Sequence, residues 1–407
     1  MKLFVNLLTN YIVIDIMRKK PIVFISPDSF KGTISAMRVA EIISEVFQKK
    51  GYETISVPVA DGGEGTVDSI LYSNGGEKKY VYVNDPLGRH IKSFYGYSGK
   101  KAYIEIAQSS GLMLLKENEL NPMITTTFGF GELIFDAYKN GFREFFLGLG
   151  GTATNDAGIG MLSSLGVKFF DNKKNEIKGL LSAQHLHLIE KVDISEIKID
   201  TRKININVLC DVQNPLTGDN GTSRIYSPQK GASNKVVEKL ENAVKHFAKI
   251  ISEQLSAEPE FPGAGAAGGV AMALKIFLNG KLVPGINTLI EILDLERKIS
   301  NADIVIVGEG SLDHQSVFGK APVGIAMIAK KYNKPVLAIA GKIGKNPVEL
   351  FKYGIDCIYS SYGNVPVPIE EIKISAEENL FKIAGIAADE ASFPELYKNK
   401  IFVLNET

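Results

Sequence analysis

The chain has 407 residues, of which 45% are hydrophobic, 23% are charged and 55 are glycine or proline (39 + 16). This length exceeds one average α/β unit and implies two or three domains, and the composition excludes disorder, collagen and coiled coil as whole-chain descriptions. Lys plus Arg and Asp plus Glu balance at 46 each, so no net basic excess points to nucleic acid or an anionic membrane as the partner.

Residues 1–16 set Lys2 before an apolar run, but Asp15 interrupts that run and no small-x-small cleavage site precedes Met17. Residues 1–20 are therefore expected to form an extension outside the fold. No uncharged apolar stretch is long enough to span a bilayer. The two cysteines, Cys210 and Cys357, sit in strand-like runs and cannot build a disulfide framework. Buried free thiols and a cytoplasmic location are expected.

Pro21–Ile25 reads as a buried parallel strand that ends in the polar Ser26-Pro27-Asp28-Ser29. Ser35 caps a predicted helix through Lys50, with Val39, Ile43, Val46 and Phe47 facing inward and Gly51 ending it. A second strand, Thr54–Val59, runs into Ala60-Asp61-Gly62-Gly63-Glu64-Gly65-Thr66 and another helix. Near Glu77 the texture changes to a meander of Lys79–Asn84, His90–Tyr97 and Lys101–Ile106. Strands at Glu144–Leu149 and Lys203–Val208, a long amphipathic helix at Lys235–Leu255 and an all-apolar helix at Ala264–Leu278 come next. From Pro284 the β-α rhythm returns, with strands at Ala302–Val307, Lys334–Ala340 and Ile355–Ser360 and helices at Ala321–Lys331 and Pro347–Tyr353. The implied architecture is an α/β parallel-sheet domain from both chain ends (21–76 and 284–392) with a mixed α/β domain (77–283) inserted. Linkers at 76–80 and 280–285 are expected to act as hinges.

Five strands end in loops rich in Gly and Asp: SPDSFKGT, ADGGEGT, GGTATNDAG, LCDVQNPLTGDNG and GEGSLDHQSVFGK. Glycine lets the backbone approach a ligand, and a nearby carboxylate can hold Mg²⁺ or take a proton. Any one loop could be an ordinary turn; five together point to a charged, phosphate-bearing ligand in a shared cleft. Gly263-Ala264-Gly265-Ala266-Ala267-Gly268 matches the dinucleotide fingerprint, but Ser256–Pro262 before it, with two prolines, cannot be the required central strand. Tight helix packing and phosphate binding both remain open for that segment. The five histidines show no zinc spacing, with only His314 near a candidate loop, and no G-x-S-x-G elbow or Walker A sequence occurs.

Eight blocks resemble the bacterial class I glycerate kinase family: SPDSFKGTISA (26–36), VPVADGGEGT (57–66), DPLG (85–88), IEIAQSSGL (104–112), GLGGTATNDAGIGM (148–161), CDVQNPLTGDNGTSRIYSPQKGA (210–232), PGAGAAGG (262–269) and GEGSLDHQSVFGKAPVGIA (308–326). Thr33 and Ser227 depart from the family pattern. The resemblance implies ATP-dependent, Mg²⁺-assisted phosphorylation of D-glycerate in an interdomain cleft, with 2-phosphoglycerate the favoured product. It also implies a flavodoxin-like α/β domain carrying a second, inserted α/β domain. A kinase for another small hydroxy acid and a non-catalytic metabolite-binding protein are the alternatives, and no oligomeric state is implied.

On that reading, Asp313 is the favoured base, with Asp211 as runner-up, and Lys31 stabilises the transferring phosphoryl group. Asp28, Ser29, Lys31, Arg224 and Lys320 are expected to bind the hydroxy acid. Gly62, Gly63, Gly150, Gly151, Thr152, Lys230, Gly263, Gly265 and Gly268 are expected at the nucleotide. Asp61, Asp156 and Asp211 are candidate Mg²⁺ ligands, and the structural alternative for Asp156 is a helix cap.

Overall fold

A computed structural model describes residues 20–30, 32–60, 63–312, 321–391 and 399–404. The described residues form two compact units, one from the segments up to Pro58 and from Asp294 onward, the other from Val59–Leu293.

The chain opens with β1 (Ile22–Pro27), α1 (Ala36–Lys49) and β2 (Glu53–Ser56). The Ser35 hydroxyl accepts the Arg38 N–H at the start of α1, and Val39, Ile43, Val46 and Phe47 form its buried stripe as their 3.6-residue spacing requires. After the inserted unit come α10 (Leu295–Ser300), β11 (Ile304–Leu312), α11 (Ala321–Lys331), β12 (Val336–Ile343), β13 (Cys357–Ser360), α12 (Ile369–Glu390) and β14 (Lys400–Val403).

Together these strands form one sheet in the order β2-β1-β11-β12-β13-β14, parallel throughout. Read along the unit, the order is second, first, third, fourth, fifth, the flavodoxin-like arrangement with an added edge strand. Residues on one face, such as Ile25, Ile306 and Leu337, share a core with α1 and α12, while α11 packs against β1 and β11. Burial on both faces explains why β1 and the start of β11 read as unbroken apolar runs. β14 lies beyond residue 392, where the expected domain ends; Pro347–Tyr353 forms a 3₁₀ helix.

The inserted unit begins with α2 (Thr66–Asn74), which precedes the expected boundary at residue 77 and packs against β4 and β5. Its strands and helices are β3 (Glu77–Asn84), β4 (His90–Ser98), β5 (Lys101–Glu105), α3 (Ala107–Ser110), α4 (Phe128–Lys139), β6 (Glu144–Gly148), α5 (Ile159–Ser164), β7 (Lys168–Phe170), β8 (Lys191–Asp193), β9 (Asn205–Leu209), α6 (Thr222–Tyr226), α7 (Asn234–Leu255), α8 (Ala266–Leu278), β10 (Lys281–Val283) and α9 (Gly285–Ile292).

Its main sheet runs β10-β9-β6-β5-β4-β3. The β3–β4 and β4–β5 pairs are antiparallel, as the meander predicts, and the rest are parallel. Val237, Leu240, Val244, Phe247 and Ile251 of α7 are buried, each stabilising the fold by roughly 1.5–3 kcal/mol. The segment expected to be helical from Ala264 starts its regular helix later, because Ala267, Gly268 and Gly269 all have positive φ.

No helix among the described residues is long and apolar enough to cross a membrane. Both thiols are free; Cys357 is buried, whereas Cys210 is only half-buried because it follows the end of β9 rather than lying inside it.

Candidate active site

In a parallel sheet of this order, connections leave β1 and β11 in opposite directions, and a crevice opens beyond their carboxyl ends. The register pairs Pro27 with Gly308, and the Asp28 N–H donates to the Gly308 carbonyl at 2.8 Å. The Ser26 hydroxyl donates to the Val57 carbonyl at 2.7 Å, tying β1 to the segment after β2. Asp28 and Ser29 therefore stand at the switch point, with Asp28 almost fully buried. A cavity of about 310 Å³ lies here, lined by Ser29, Glu309, Lys342 and Ser361 among others. Lys31, Asp313 and Lys320 belong to the same sequence blocks but lie outside the described residues.

In the inserted unit, Asp61 and Gly62 also lie outside the described residues. The turn into α2 just after them is held by Glu105, at the end of β5. Its carboxylate accepts the Gly65 N–H at 3.3 Å, the Val67 N–H at 2.5 Å and the Gln108 amide at 3.0 Å. The two backbone groups are donors that the first turn of α2 leaves without intrahelical partners. Burial raises the Glu105 carboxyl to about 7, against the lowering effect of those donors. Gly63 contributes its carbonyl to the Thr66 hydroxyl at 2.8 Å. Glu105 was not singled out from the sequence. The signal was a glutamate inside the apolar run Tyr103-Ile104-Glu105-Ile106, where an ionisable side chain needs donors to be buried.

Two of the sequence blocks, 148–161 and 210–232, meet around Lys230. Its ammonium is buried and donates to the Thr154 carbonyl at 2.6 Å and the Thr152 hydroxyl at 3.1 Å. Burial pulls its pKa down to about 7, partly opposed by the charge of Asp156. Gly150 and Gly151 form the turn before Thr152, with Gly151 at φ +77°. The side-chain amide of the fully buried Asn155 donates to the Ser223 hydroxyl at 3.2 Å. Lys230, Thr152 and Asn155 thus come together, as two of the expected nucleotide residues and a neighbour.

Asp156 is fully buried, and its carboxylate accepts from the Thr127 N–H (2.9 Å) and hydroxyl (2.8 Å), the Gly158 N–H (3.0 Å) and the Gly160 N–H (3.3 Å). Burial raises its pKa. Four donors on one carboxylate make it the clamp that joins the starts of α4 and α5, which favours the cap reading over the metal reading. Thr127, whose hydroxyl also accepts the Met161 N–H at 2.9 Å, carries the other half of that clamp and was not anticipated from the sequence.

The glycine fingerprint serves packing. A side-chain carbon at Gly268 (φ +72°) would fall 2.3 Å from the Thr154 carbonyl oxygen, and one at Gly265 would fall 2.3 Å from that of Pro215. At Gly263 (φ +88°) it would meet Leu282 and Val212. The Ala157 N–H donates to the Gly268 carbonyl and the Gly265 N–H to that of Asn214. This segment therefore knits the GGTATND and CDVQNPLTG loops together, and the space beside Gly265 and Gly268 is filled by protein backbone.

Asp211 is exposed and accepts the Gly285 N–H at 2.8 Å at the start of α9. Arg224 makes a two-pronged pair with Glu238, at 2.6 and 3.0 Å. Its guanidinium is thus already matched by a carboxylate. Among the described residues, no three His, Cys, Asp or Glu side chains converge as a metal-ligand cluster.

A doubly wound sheet of this order leaves room for a ligand at the carboxyl ends of its strands, as α/β proteins that bind phosphorylated ligands do. The profile of the Glycerate kinase family matches residues 23–390, and the chain belongs to that family, whose members are phosphotransferases with an alcohol acceptor. It is 42% identical to "Glycerate 2-kinase" of Escherichia coli (strain K12) over 83% of this chain and 90% of that protein. It is 40% identical to "Glycerate kinase" of Bacillus subtilis (strain 168) over 89% and 95%. A crystal structure assigned to glycerate kinase 2 of Salmonella typhimurium LT2 superposes with a TM-score of 0.79 at 36% identity, covering 93% of this chain and all of that one.

Proposed function

We propose that the protein transfers the γ-phosphoryl group of ATP to D-glycerate with Mg²⁺ and releases 2-phosphoglycerate, in the cytoplasm. The observation that carries this reading is the family match across nearly the whole chain, with a relative named for the 2-kinase activity aligned over 90% of its length.

Asp313 remains the proposed base and Lys31 the proposed phosphoryl-stabilising cation, with Asp28, Ser29 and Lys320 around the acid. Thr152 and Lys230 mark the proposed phosphate-handling side of the inserted unit. Mg²⁺ needs one or two carboxylates beside phosphate oxygens. Asp156 suits that need poorly, because its carboxylate already serves four donors, so Asp61 and Asp211 are the proposed ligands. Bound there, the ion would neutralise charge on the phosphates.

The test is ADP release in a coupled assay with D-glycerate and Mg²⁺, followed by phosphorus NMR of the product. Absence of glycerate-dependent turnover in folded protein would refute the activity. Formation of 3-phosphoglycerate alone would refute the regiochemistry.

A further inference from the structure

The cavity at the carboxyl-terminal ends of β1, β11, β12 and β13 has two unlike walls. One is aliphatic and aromatic, made by Phe30 and by Ile369, Ile372 and Ala376 of α12. The other is polar, made by Glu309, Ser361 and the neighbouring strand ends. Ser361 is 2% exposed, and its hydroxyl has no hydrogen-bond partner among the described residues. A buried hydroxyl left unsatisfied is costly, and such groups call for an explanation.

The volume, about 310 Å³, lies at the lower end of the roughly 300–1,000 Å³ range of small-molecule pockets. A three-carbon acid would leave most of that space unfilled and has no apolar surface to offer the α12 wall. A flat heterocycle bearing a polyol matches both walls.

We propose that this cavity is the nucleoside subsite, an inference that rests on the kinase reading above. The base lies against Phe30, Ile372 and Ile369, the Ser361 hydroxyl satisfies itself on the base, and the Glu309 carboxylate accepts from the ribose hydroxyls. The acidic residue beside a ribose is a recurring device at the switch points of doubly wound sheets.

Adenosine, which lacks phosphates, is the direct probe. It should raise the Tm of the wild-type protein, and Ile372→Trp, which fills the apolar half, should abolish that rise. Ser361→Ala breaks no existing hydrogen bond, so its Tm should match wild type. Its KM for ATP should rise roughly 3- to 10-fold, the loss of one neutral hydrogen bond, with KM for D-glycerate unchanged. Unaltered ATP and adenosine affinity in both folded variants would overturn the proposal, as would a rise in the KM for glycerate alone. Wild-type turnover in the same assays keeps the two readings apart. If ATP and D-glycerate react but the variants do not shift, only the subsite is wrong. If adenosine protects through Ser361 and Ile372 but glycerate is not phosphorylated, the subsite stands and the acceptor is wrong.

Discussion

Replacing Lys230 by Met keeps most of the side-chain volume and removes the buried charge. Burial lowers the lysine from 10.5 to about 7. At about 1.4 kcal/mol per pKa unit, that displacement is on the order of 4–5 kcal/mol, the ceiling on what carrying the charge inside costs the native state below pH 7. Against this, Met leaves the Thr154 carbonyl without its donor, a loss of about 1–3 kcal/mol. The folded pKa lies below the unfolded one, so between pH 7 and 10.5 the unfolded chain holds the extra proton and stability rises with pH.

Wild type should therefore gain on Lys230→Met by up to roughly 1.4 kcal/mol per pH unit across that window. Below pH 7, where Lys230 is protonated in both states, the gap should be flat and should favour the variant. Urea unfolding of both proteins at pH 6, 7, 8 and 9 measures the difference. A gap that does not change between pH 7 and 9 would show that Lys230 stays charged in the native protein and would refute the reasoning.

Glu105 carries the opposite linkage, since its folded pKa of about 7 exceeds the ordinary 4.5. Its contribution is complete below pH 4.5 and is lost as pH rises to 7, so Glu105→Gln should flatten that decline in urea titrations; an equally steep decline would count against it. Gly268→Ala should lower stability by at least about 1–2 kcal/mol from the left-handed backbone alone, with overlap against the Thr154 carbonyl added. An unchanged Tm would mean the loops are not packed as described. Asp313→Asn should reduce kcat by orders of magnitude at unchanged Tm, and near-normal turnover would remove Asp313 from the mechanism.

Much of this fold is written in local pattern. The stripe Val39, Ile43, Val46, Phe47 reflects which face of one helix is buried, the meander from Lys79 to Ile106 reflects successive strands joined by short turns, and the structure agrees on both. Several strand ends differ from expectation: β11 continues to Leu312, through the glycines expected to begin a loop, because pairing with β12 supplies backbone partners as far as Ile343. The fingerprint at Gly263–Gly268 is ambiguous for a related reason. Positive φ and close approach demand glycine whether the neighbour is a phosphate or a protein carbonyl, and here it is a carbonyl. Asp156 and Thr127 stand 29 residues apart in sequence, and Glu105 reaches α2 from β5. Such partnerships depend on tertiary packing, which no window of sequence displays.

The flavodoxin-like sheet is stitched from the two extremities of the chain, with β1 lying between β2 and β11. During synthesis β1 leaves the ribosome early, but its second neighbour does not exist until Ile304 has been added. At roughly 5–20 residues per second, the nascent chain carries an unpaired, apolar strand edge for tens of seconds. The inserted unit is contiguous in sequence and can complete its own core in that interval. Premature release of the chain anywhere before β11 would leave that edge open to self-association.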